Sequence, residues 1–178
     1  LQQIVNGYAK TDDGELQTIS NEKQRVLEEV LEDVPTDEPV VVFCRFVADL
    51  DRIQEVAEKT GRRYGELSGR RKDVLDEDAK MLPDIDIAAV QLQSGGVGID
   101  LTRARIGIYY SLCDSLIQYQ QSKKRLDRPG QTRAGVFIHL LTETPVERKI
   151  YRALRRNEQV NTALLKAARE GWNTDIDD

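Results

Sequence analysis

Apolar residues in this chain gather into two kinds of pattern. Four short runs, at residues 40–44, 85–90, 106–110 and 136–141, are continuously apolar and do not alternate as half-exposed strands would. Continuous apolar strands belong to a parallel sheet that is covered on both faces. A weaker run at 63–67 predicts a fifth strand. Between the first two strong runs, Val47, Leu50, Ile53, Val56 and Ala57 recur at steps of three and four, which predicts a helix over 47–60. The same spacing predicts a helix over 114–128. Strands alternating with helices imply right-handed βαβ crossovers, and hence an α/β fold with a parallel sheet sandwiched by helices.

The flanks follow other rules. Asp13-Gly14 between two extended stretches predicts a hairpin across residues 7–19. A helix over 21–31 follows, and Pro35 and Pro39 bracket its link to the first strand. Near the other end, Thr144-Pro145-Val146-Glu147 combines a capping box with proline at the first helical position. This predicts a long helix that runs to residue 170, stops near Gly171, and leaves a frayed acidic end at 175–178. Three parts result: a hairpin and helix at 1–35, a sheet core at 36–144, and a C-terminal helix and tail at 145–178.

With 178 residues, 39% hydrophobic and 32% charged, the chain has the composition of one ordinary globular domain. No apolar run approaches the roughly 18 residues of a membrane span. The opening LQQIVNGYAK lacks the layout of a signal peptide. The expectation is a soluble, intracellular chain with no membrane partner, cytoplasmic in a prokaryotic or viral source, with a nuclear location left open. A start at Leu1 rather than Met predicts a piece of a longer polypeptide. Cys44, Cys113 and the single histidine, His139, cannot make a common zinc site; buried reduced thiols and a structural histidine are expected instead. No metal site is expected, and Asp76-Glu77-Asp78 reads as a solvated helix face. A net charge of −5 excludes a nucleic-acid footprint over the whole surface. Positive charge is local, in Lys123, Lys124, Arg125, Arg128 and Arg133 and again in Arg148, Lys149, Arg152, Arg155 and Arg156.

The first of these clusters has a pattern that suits chemistry. In QYQQSKKRLDRPGQ, Gln118, Gln121, Arg125 and Arg128 share one helix face, and Pro129-Gly130 ends the helix at the second arginine. Two guanidiniums at a helix end make a fork for phosphate oxygens; a solvated basic helix is the plain alternative. The segment Gln93 to Thr102 carries three glycines, Gly95, Gly96 and Gly98, directly after a buried strand. These would let the backbone approach a phosphate, with Asp100 placed to accept from a ribose, or would simply make a tight turn. A dinucleotide fingerprint fits poorly, because the third glycine and the following helix are missing. No GxxxxGK[ST] loop and no strand followed by an Asp-Glu pair is present, so the chain cannot build a whole nucleoside triphosphatase site.

The strand with VVVFCRF, the loop SGGVGIDLT and the helix QYQQSKKRLDRPGQ, in that order, resemble the C-terminal motor lobe of superfamily 2 helicases. Among these the chain is most similar to the Swi/Snf-type DNA translocases. Gln121, Arg125, Arg128, Gly130 and Gln131 match their Q-x3-R-x2-R-x-G-Q pattern, and Gly95 to Leu101 match their glycine loop. The opening LQQIVNG and the closing TPVERKIYRAL are similar to the segments flanking that lobe. The sequence departs from the pattern at Gln91-Leu92, where the family has Ser-Thr, and at Arg70-Arg71, where it has a small hydroxyl residue after Gly69.

The resemblance implies a RecA-like second lobe of a two-lobed ATP-dependent DNA translocase or helicase. ATP and Mg2+ would be held mainly by an N-terminal RecA-like lobe in the same polypeptide. This lobe would supply Arg125 and Arg128 as catalytic arginines, with Gln121, Gly96, Gly98 and Asp100 near the nucleotide. Double-stranded DNA would meet loops at Arg45 and Phe46, at Ser68 and Gly69, and at Gly95. By the same resemblance the isolated chain would be inactive. Two alternatives stand beside it: a non-catalytic α/β binding module, and the corresponding lobe of an RNA helicase.

Overall fold

The protein is described from a computed structural model that covers residues 2–11, 13–94, 98–129 and 131–169, with the backbone alone described at 2, 5, 10, 16 and 158–169. In chain order the elements are α1 (Gln2–Val5), β1 (Tyr8–Lys10), β2 (Leu16–Thr18), α2 (Glu22–Glu32), β3 (Val40–Cys44), α3 (Val47–Lys59), β4 (Tyr64–Leu67), β5 (Ile87–Gln91), β6 (Ile106–Tyr109), α4 (Leu116–Leu126), β7 (Val136–His139) and α5 (Pro145–Arg169). The predicted hairpin is the antiparallel pair β1–β2, with Tyr8 opposite Thr18. The sheet has five strands in the order β4-β5-β3-β6-β7, and every pair in it is parallel. This is the helix-covered parallel α/β sheet that the apolar runs predict, and it agrees with the RecA-like lobe that the resemblance implies.

The central strand β3 is buried at all five positions, and its alternation divides the core. Val40, Val42 and Cys44 pack with Leu27 and Leu31 of α2 and with Leu50, Ile53 and Val56 of α3. Val41 and Phe43 face the other way, toward Tyr119 and Leu126 of α4, Leu154 of α5 and Val74, Met81 and Leu101 from the connections. Both faces are thus covered, and burial of these large apolar side chains is the main source of stability. Cys44 and Cys113 are buried free thiols. His139 is half-buried in an aromatic group, stacked on Tyr109 at 4.7 Å and hydrogen-bonded through Nε2 to the Tyr119 hydroxyl at 2.9 Å.

Two local expectations are corrected. The Asp76–Asp78 cluster is a turn: Asp76 Oδ1 accepts from the amides of Asp78 and Lys80, both at 2.9 Å, and Ala79 takes a positive φ of 59°. Asparagine-like and aspartate side chains close such turns on their own backbone in preference to a helix. The capping box at Thr144 is also redirected. Glu147 Oε2 accepts from the amide of Thr142 at 2.7 Å and its hydroxyl at 3.0 Å, while Oε1 pairs with Lys23. A buried ammonium outcompetes a local amide for that carboxylate. The predicted frayed end at 175–178 lies outside the described residues.

Candidate functional site

In a parallel sheet the loops after the strands' carboxyl ends collect along one edge, where open α/β sheets bind their ligands. Arg45 and Phe46 follow β3 on this edge, Ser68 and Gly69 follow β4, and residues 92–94 follow β5. Four of the residues expected to touch DNA, Arg45, Phe46, Ser68 and Gly69, therefore sit on loops of this one edge. A Cβ added at Gly69 would lie 4.0 Å from Ser94 Oγ, so the second and third loops approach each other there. Gly95 and Gly96 lie outside the described residues. Gly98 has φ +103°, a conformation that L side chains rarely adopt, with open space where a Cβ would be. Backbone shape, rather than crowding, requires glycine there.

The side chains on this edge are engaged. Arg45 Nη1 donates to Asp114 Oδ1 at 3.2 Å, and its guanidinium lies 5.4 Å from the Phe46 ring centre. Ser68 is buried. Its hydroxyl donates to Glu66 Oε1 and accepts from the amides of Arg70 at 3.0 Å and Arg71 at 3.3 Å. Arg70 makes a two-pronged contact with the fully buried Glu66, Nε to Oε1 at 2.8 Å and Nη2 to Oε2 at 2.9 Å, and also reaches Asp51. The Arg70 hydrogen bonds, with those from Ser68 and Tyr64, hold the Glu66 carboxyl below its ordinary range although burial acts the other way.

The arginine pair sits at the far end of α4. Ser115 caps this helix, its hydroxyl accepting from the Gln118 amide. The helix ends at Leu126, short of the residue 128 expected from spacing, because Pro129 bars the preceding residue from helical angles. Gln121 is exposed, Arg125 is 6% exposed and Arg128 is half-buried. Burial, and then the charge of Arg128, lower the pKa of Arg125.

This helix end is latched to the glycine connection. The Leu101 amide donates to the Arg125 carbonyl at 3.1 Å. Gln131 Nε2 donates to the carbonyls of Thr102 at 2.9 Å, Ala104 at 3.4 Å and Leu126 at 3.5 Å. Asp100 Oδ1 accepts from the Thr102 hydroxyl at 2.6 Å and its amide at 2.9 Å. The Thr102 hydroxyl bond is the main cause that holds the Asp100 carboxyl below its ordinary range; Arg128 and then Lys80 add to it against the effect of burial. Arg125, Arg128 and Asp100 are therefore brought to one place. Arg133, grouped with them by sequence, is drawn off to Glu38 at 2.6 Å, which also holds Arg105.

The fold brings several residues into prominence that spacing does not mark. Asp49 on α3 is fully buried and accepts from Asn6, Tyr8, Ser111 and the Phe46 amide. Lys23 is buried against Glu147, Asn6 and the Tyr110 carbonyl. A polar residue three or four positions from another on an amphipathic helix looks solvent-facing; contacts with distant segments bury these two, Asn6, Tyr8 and Ser111 over Asp49, and Asn6, Tyr110 and Glu147 over Lys23. Among the described residues no group of three or more His, Cys, Asp and Glu could hold a metal ion, and no helix is long and apolar enough to cross a membrane.

The helicase conserved C-terminal domain family matches residues 22–130, more than half of the chain. The ATP-dependent helicase fft2 of Schizosaccharomyces pombe is 28% identical over 134 residues, covering 72% of this chain and 10% of that protein. The chromatin-remodeling ATPase INO80 of Debaryomyces hansenii is 27% identical over 146 residues, 79% of this chain and 11% of that protein. Among solved structures, the C-terminal part of the Fun30 ATPase domain superposes with a TM-score of 0.63 at 26% identity, covering 76% of this chain and 45% of that one. The chain thus spans about a tenth of the length of these curated relatives. With the parallel sheet, the latched arginine helix and these matches together, the chain belongs to the helicase conserved C-terminal domain family, as the C-terminal RecA-like lobe of a superfamily 2 helicase of the Swi/Snf type.

Proposed function

We propose that this lobe is the second half of an ATP-dependent DNA translocase, completing a nucleotide site whose other half lies on an N-terminal RecA-like lobe of the same polypeptide. The observation that carries this is the convergence of Arg125, Arg128 and Asp100 at the joint between α4 and the glycine connection. A pair of guanidiniums suits the oxygens of a triphosphate, in number of donors and in charge. The lobe has no group of acidic ligands among its described residues that would hold magnesium, so Mg2+ is assigned to the first lobe.

Bound ATP supplies the phosphoryl group that is transferred to water. Arg128 is assigned to meet the charge that develops on that group, which is stabilisation realised only in the transition state. Arg125, more deeply buried, orients Arg128 and contributes a second positive charge. Gln121 lies one turn before Arg125 on the same face and steadies the nucleotide from the exposed side. Asp100, with Oδ1 already accepting from Thr102, offers Oδ2 toward a ribose. The loops at Arg45, Phe46, Ser68, Gly69 and Gly95 are assigned to the DNA backbone, with Ser68 and Gly69 contributing main-chain groups. ATP closes the cleft between the lobes and release opens it, so the carboxyl edge of this sheet shifts along the duplex relative to the first lobe.

Steady-state phosphate release tests the assignment. The full-length protein should hydrolyse ATP in a manner stimulated by duplex DNA, and the isolated chain should show no turnover. Stimulation by RNA alone would favour the RNA helicase alternative, and no hydrolysis by the full-length protein would favour a binding module.

A further inference from the structure

Two of the loops assigned to DNA, the one after β3 and the start of the one after β5, are joined by a chain of hydrogen bonds that ends in the core. At its buried end, Asp49 is 0% exposed and its carboxylate takes four donors from three different segments. Asn6 Nδ2 and the Tyr8 hydroxyl reach Oδ1 at 3.1 and 3.2 Å. The Ser111 hydroxyl and the Phe46 amide reach Oδ2 at 2.7 and 3.1 Å. Ser111, itself 2% exposed, in turn accepts from the Arg45 amide at 2.8 Å. Asp49 thus fixes both backbone amides of the Arg45–Phe46 loop, one directly and one through Ser111.

The chain continues outward from the same loop. The Arg45 carbonyl accepts from Gln91 Nε2 at 3.2 Å, and Gln91 Oε1 accepts from the Ser94 hydroxyl at 2.8 Å. Ser94 is the residue that faces Gly69. The amide of Gln91 serves both bonds at once, its Nε2 donating to the carbonyl and its Oε1 accepting from the hydroxyl.

We infer that Asp49, Ser111 and Gln91 are positioning residues that set the Arg45–Phe46 loop and the Ser94 end of β5 as one rigid contact surface, with Asp49 as the anchor. The inference rests on the translocase assignment and adds to it residues that touch no ligand. A carboxylate buried in this way is costly to desolvate and is retained only where its donors are satisfied. Here two of its four donors belong to or hold the Arg45–Phe46 loop. Satisfied buried networks restrict the conformations of what they hold. A loop held in its bound conformation binds more tightly because less ordering is left for the binding step.

The test is a titration of ATP hydrolysis by the full-length protein with duplex DNA at one salt concentration. Ser111→Ala removes the link between Asp49 and the Arg45 amide with a minimal change of volume. It should raise the half-saturating DNA concentration about three- to tenfold, the order expected for one lost hydrogen bond. The rate at saturating DNA should move less than twofold. Gln91→Leu should raise the same concentration by a similar factor. Placed on an Arg45→Ala background, Ser111→Ala should add less than a further twofold, because residues acting through one loop are not additive. Asn6→Ala removes a donor to Asp49 that does not hold the loop; it should lower the melting temperature and leave the half-saturating concentration within twofold.

A wild-type value for both Ser111→Ala and Gln91→Leu, in a protein that duplex DNA does stimulate, overturns the inference. So does an Asn6→Ala shift as large as that of Ser111→Ala, since the network would then act through stability alone. Absence of stimulation in the unaltered protein would overturn the translocase assignment itself and is read before any variant.

Discussion

The amide of Leu101 donates to the carbonyl of Arg125 at 3.1 Å, so the connection that begins at the glycine loop and the helix that carries the arginines share a joint. The same connection leaves the carboxyl edge of the sheet at Gln91 and reaches the arginines ten residues later. One end of it lies among the loops assigned to DNA and the other beside the residues assigned to ATP. The two assigned sites are therefore neighbours along the chain as well as in the fold.

Arg128→Ala in the full-length protein should lower DNA-stimulated hydrolysis by roughly 10³- to 10⁵-fold while nucleotide affinity changes little, as expected for an arginine finger. Arg125→Ala should lower it as well and also lower stability, because Arg125 is buried and Arg128 only half so. Arg→Lys should rescue poorly at both positions, since an ammonium does not reproduce the planar fork. Lys124 is exposed and is the proper control. Lys123 is not, although its spacing off the arginine stripe suggests one: its ammonium lies 4.9 Å from the Phe137 ring centre and 5.7 Å from that of Tyr119. Phosphate-release rates and nucleotide titrations together decide the matter, and a Lys124→Ala loss as large as that of Arg128→Ala would reduce the helix to a basic patch.

Gln131→Ala should separate latch from chemistry. Its amide holds the carbonyls of Thr102, Ala104 and Leu126, three groups on the two segments that meet at the arginines. Loss of one partly buried amide that serves several carbonyls should cost on the order of 1–2 kcal/mol. Chemical denaturation measures that loss. In the full-length protein the hydrolysis rate should fall further than stability alone explains, because Arg125 and Arg128 lose their fixed placement. An unchanged rate with reduced stability would show that Gln131 braces the fold only.

How far this could be seen in advance differs from one element to the next. The runs at Val40–Cys44 and Ile106–Tyr109 are buried on both faces, and continuous apolar runs announce such strands. The arginine stripe was legible because helical spacing sets Gln121 and Arg125 on one face, although the helix ends at Leu126 and leaves Arg128 beyond it. What stayed hidden depends on contacts between distant segments. Asp49 and Arg52 look like the wet face of α3, yet Asn6, Gly7, Tyr8 and Ser20 of the N-terminal segment fold over them. Glu147 reads as a capping residue until Lys23, 124 positions away, claims it. Gln91 stands as a departure from the family pattern, and its use emerges only from the loops beside it.

Lys23 and Glu147 give a stability prediction. Both side chains are 4% exposed, and their contact ties α2 to the first turn of α5. Burial lowers the pKa of Lys23, and the Glu147 carboxylate opposes that shift. Removing one partner leaves the other charge buried, so Glu147→Ala should cost about 3–5 kcal/mol. The paired replacement Lys23→Met with Glu147→Leu should recover most of that loss, because it removes the desolvation cost along with the attraction. Denaturation of the two variants checks this. If the double variant is no better than Glu147→Ala, the carboxylate's bonds to Thr142 matter more than the ion pair.

The last prediction concerns acid. The carboxyls of Asp86, Asp100 and Glu66 are all held below their ordinary range, chiefly by hydrogen bonds from Arg63 and Thr102 for the first two and, against burial, from Arg70 for the third. A carboxyl depressed in the folded protein adds stability above its unfolded pKa, near 4, and loses it as pH falls through the folded value. Asp49 has the opposite sign: burial raises its pKa, so the folded protein takes up that proton more readily than the unfolded chain as pH falls. Three depressed groups against one raised one should give a net fall in melting temperature below about pH 4. Asp86 isolates one contribution, since Arg63 grips it with Nε at 2.9 Å and Nη2 at 2.7 Å. The difference in melting temperature between the unaltered protein and Asp86→Asn should be largest at neutral pH, begin to shrink below about pH 4 and vanish only as pH falls through the depressed folded value, where the wild-type carboxyl takes up its proton. Because Arg63 is largely exposed, added salt should shrink it too. A difference that stays constant from neutral to acid pH would mean that the pair contributes through its neutral hydrogen bonds and not through charge.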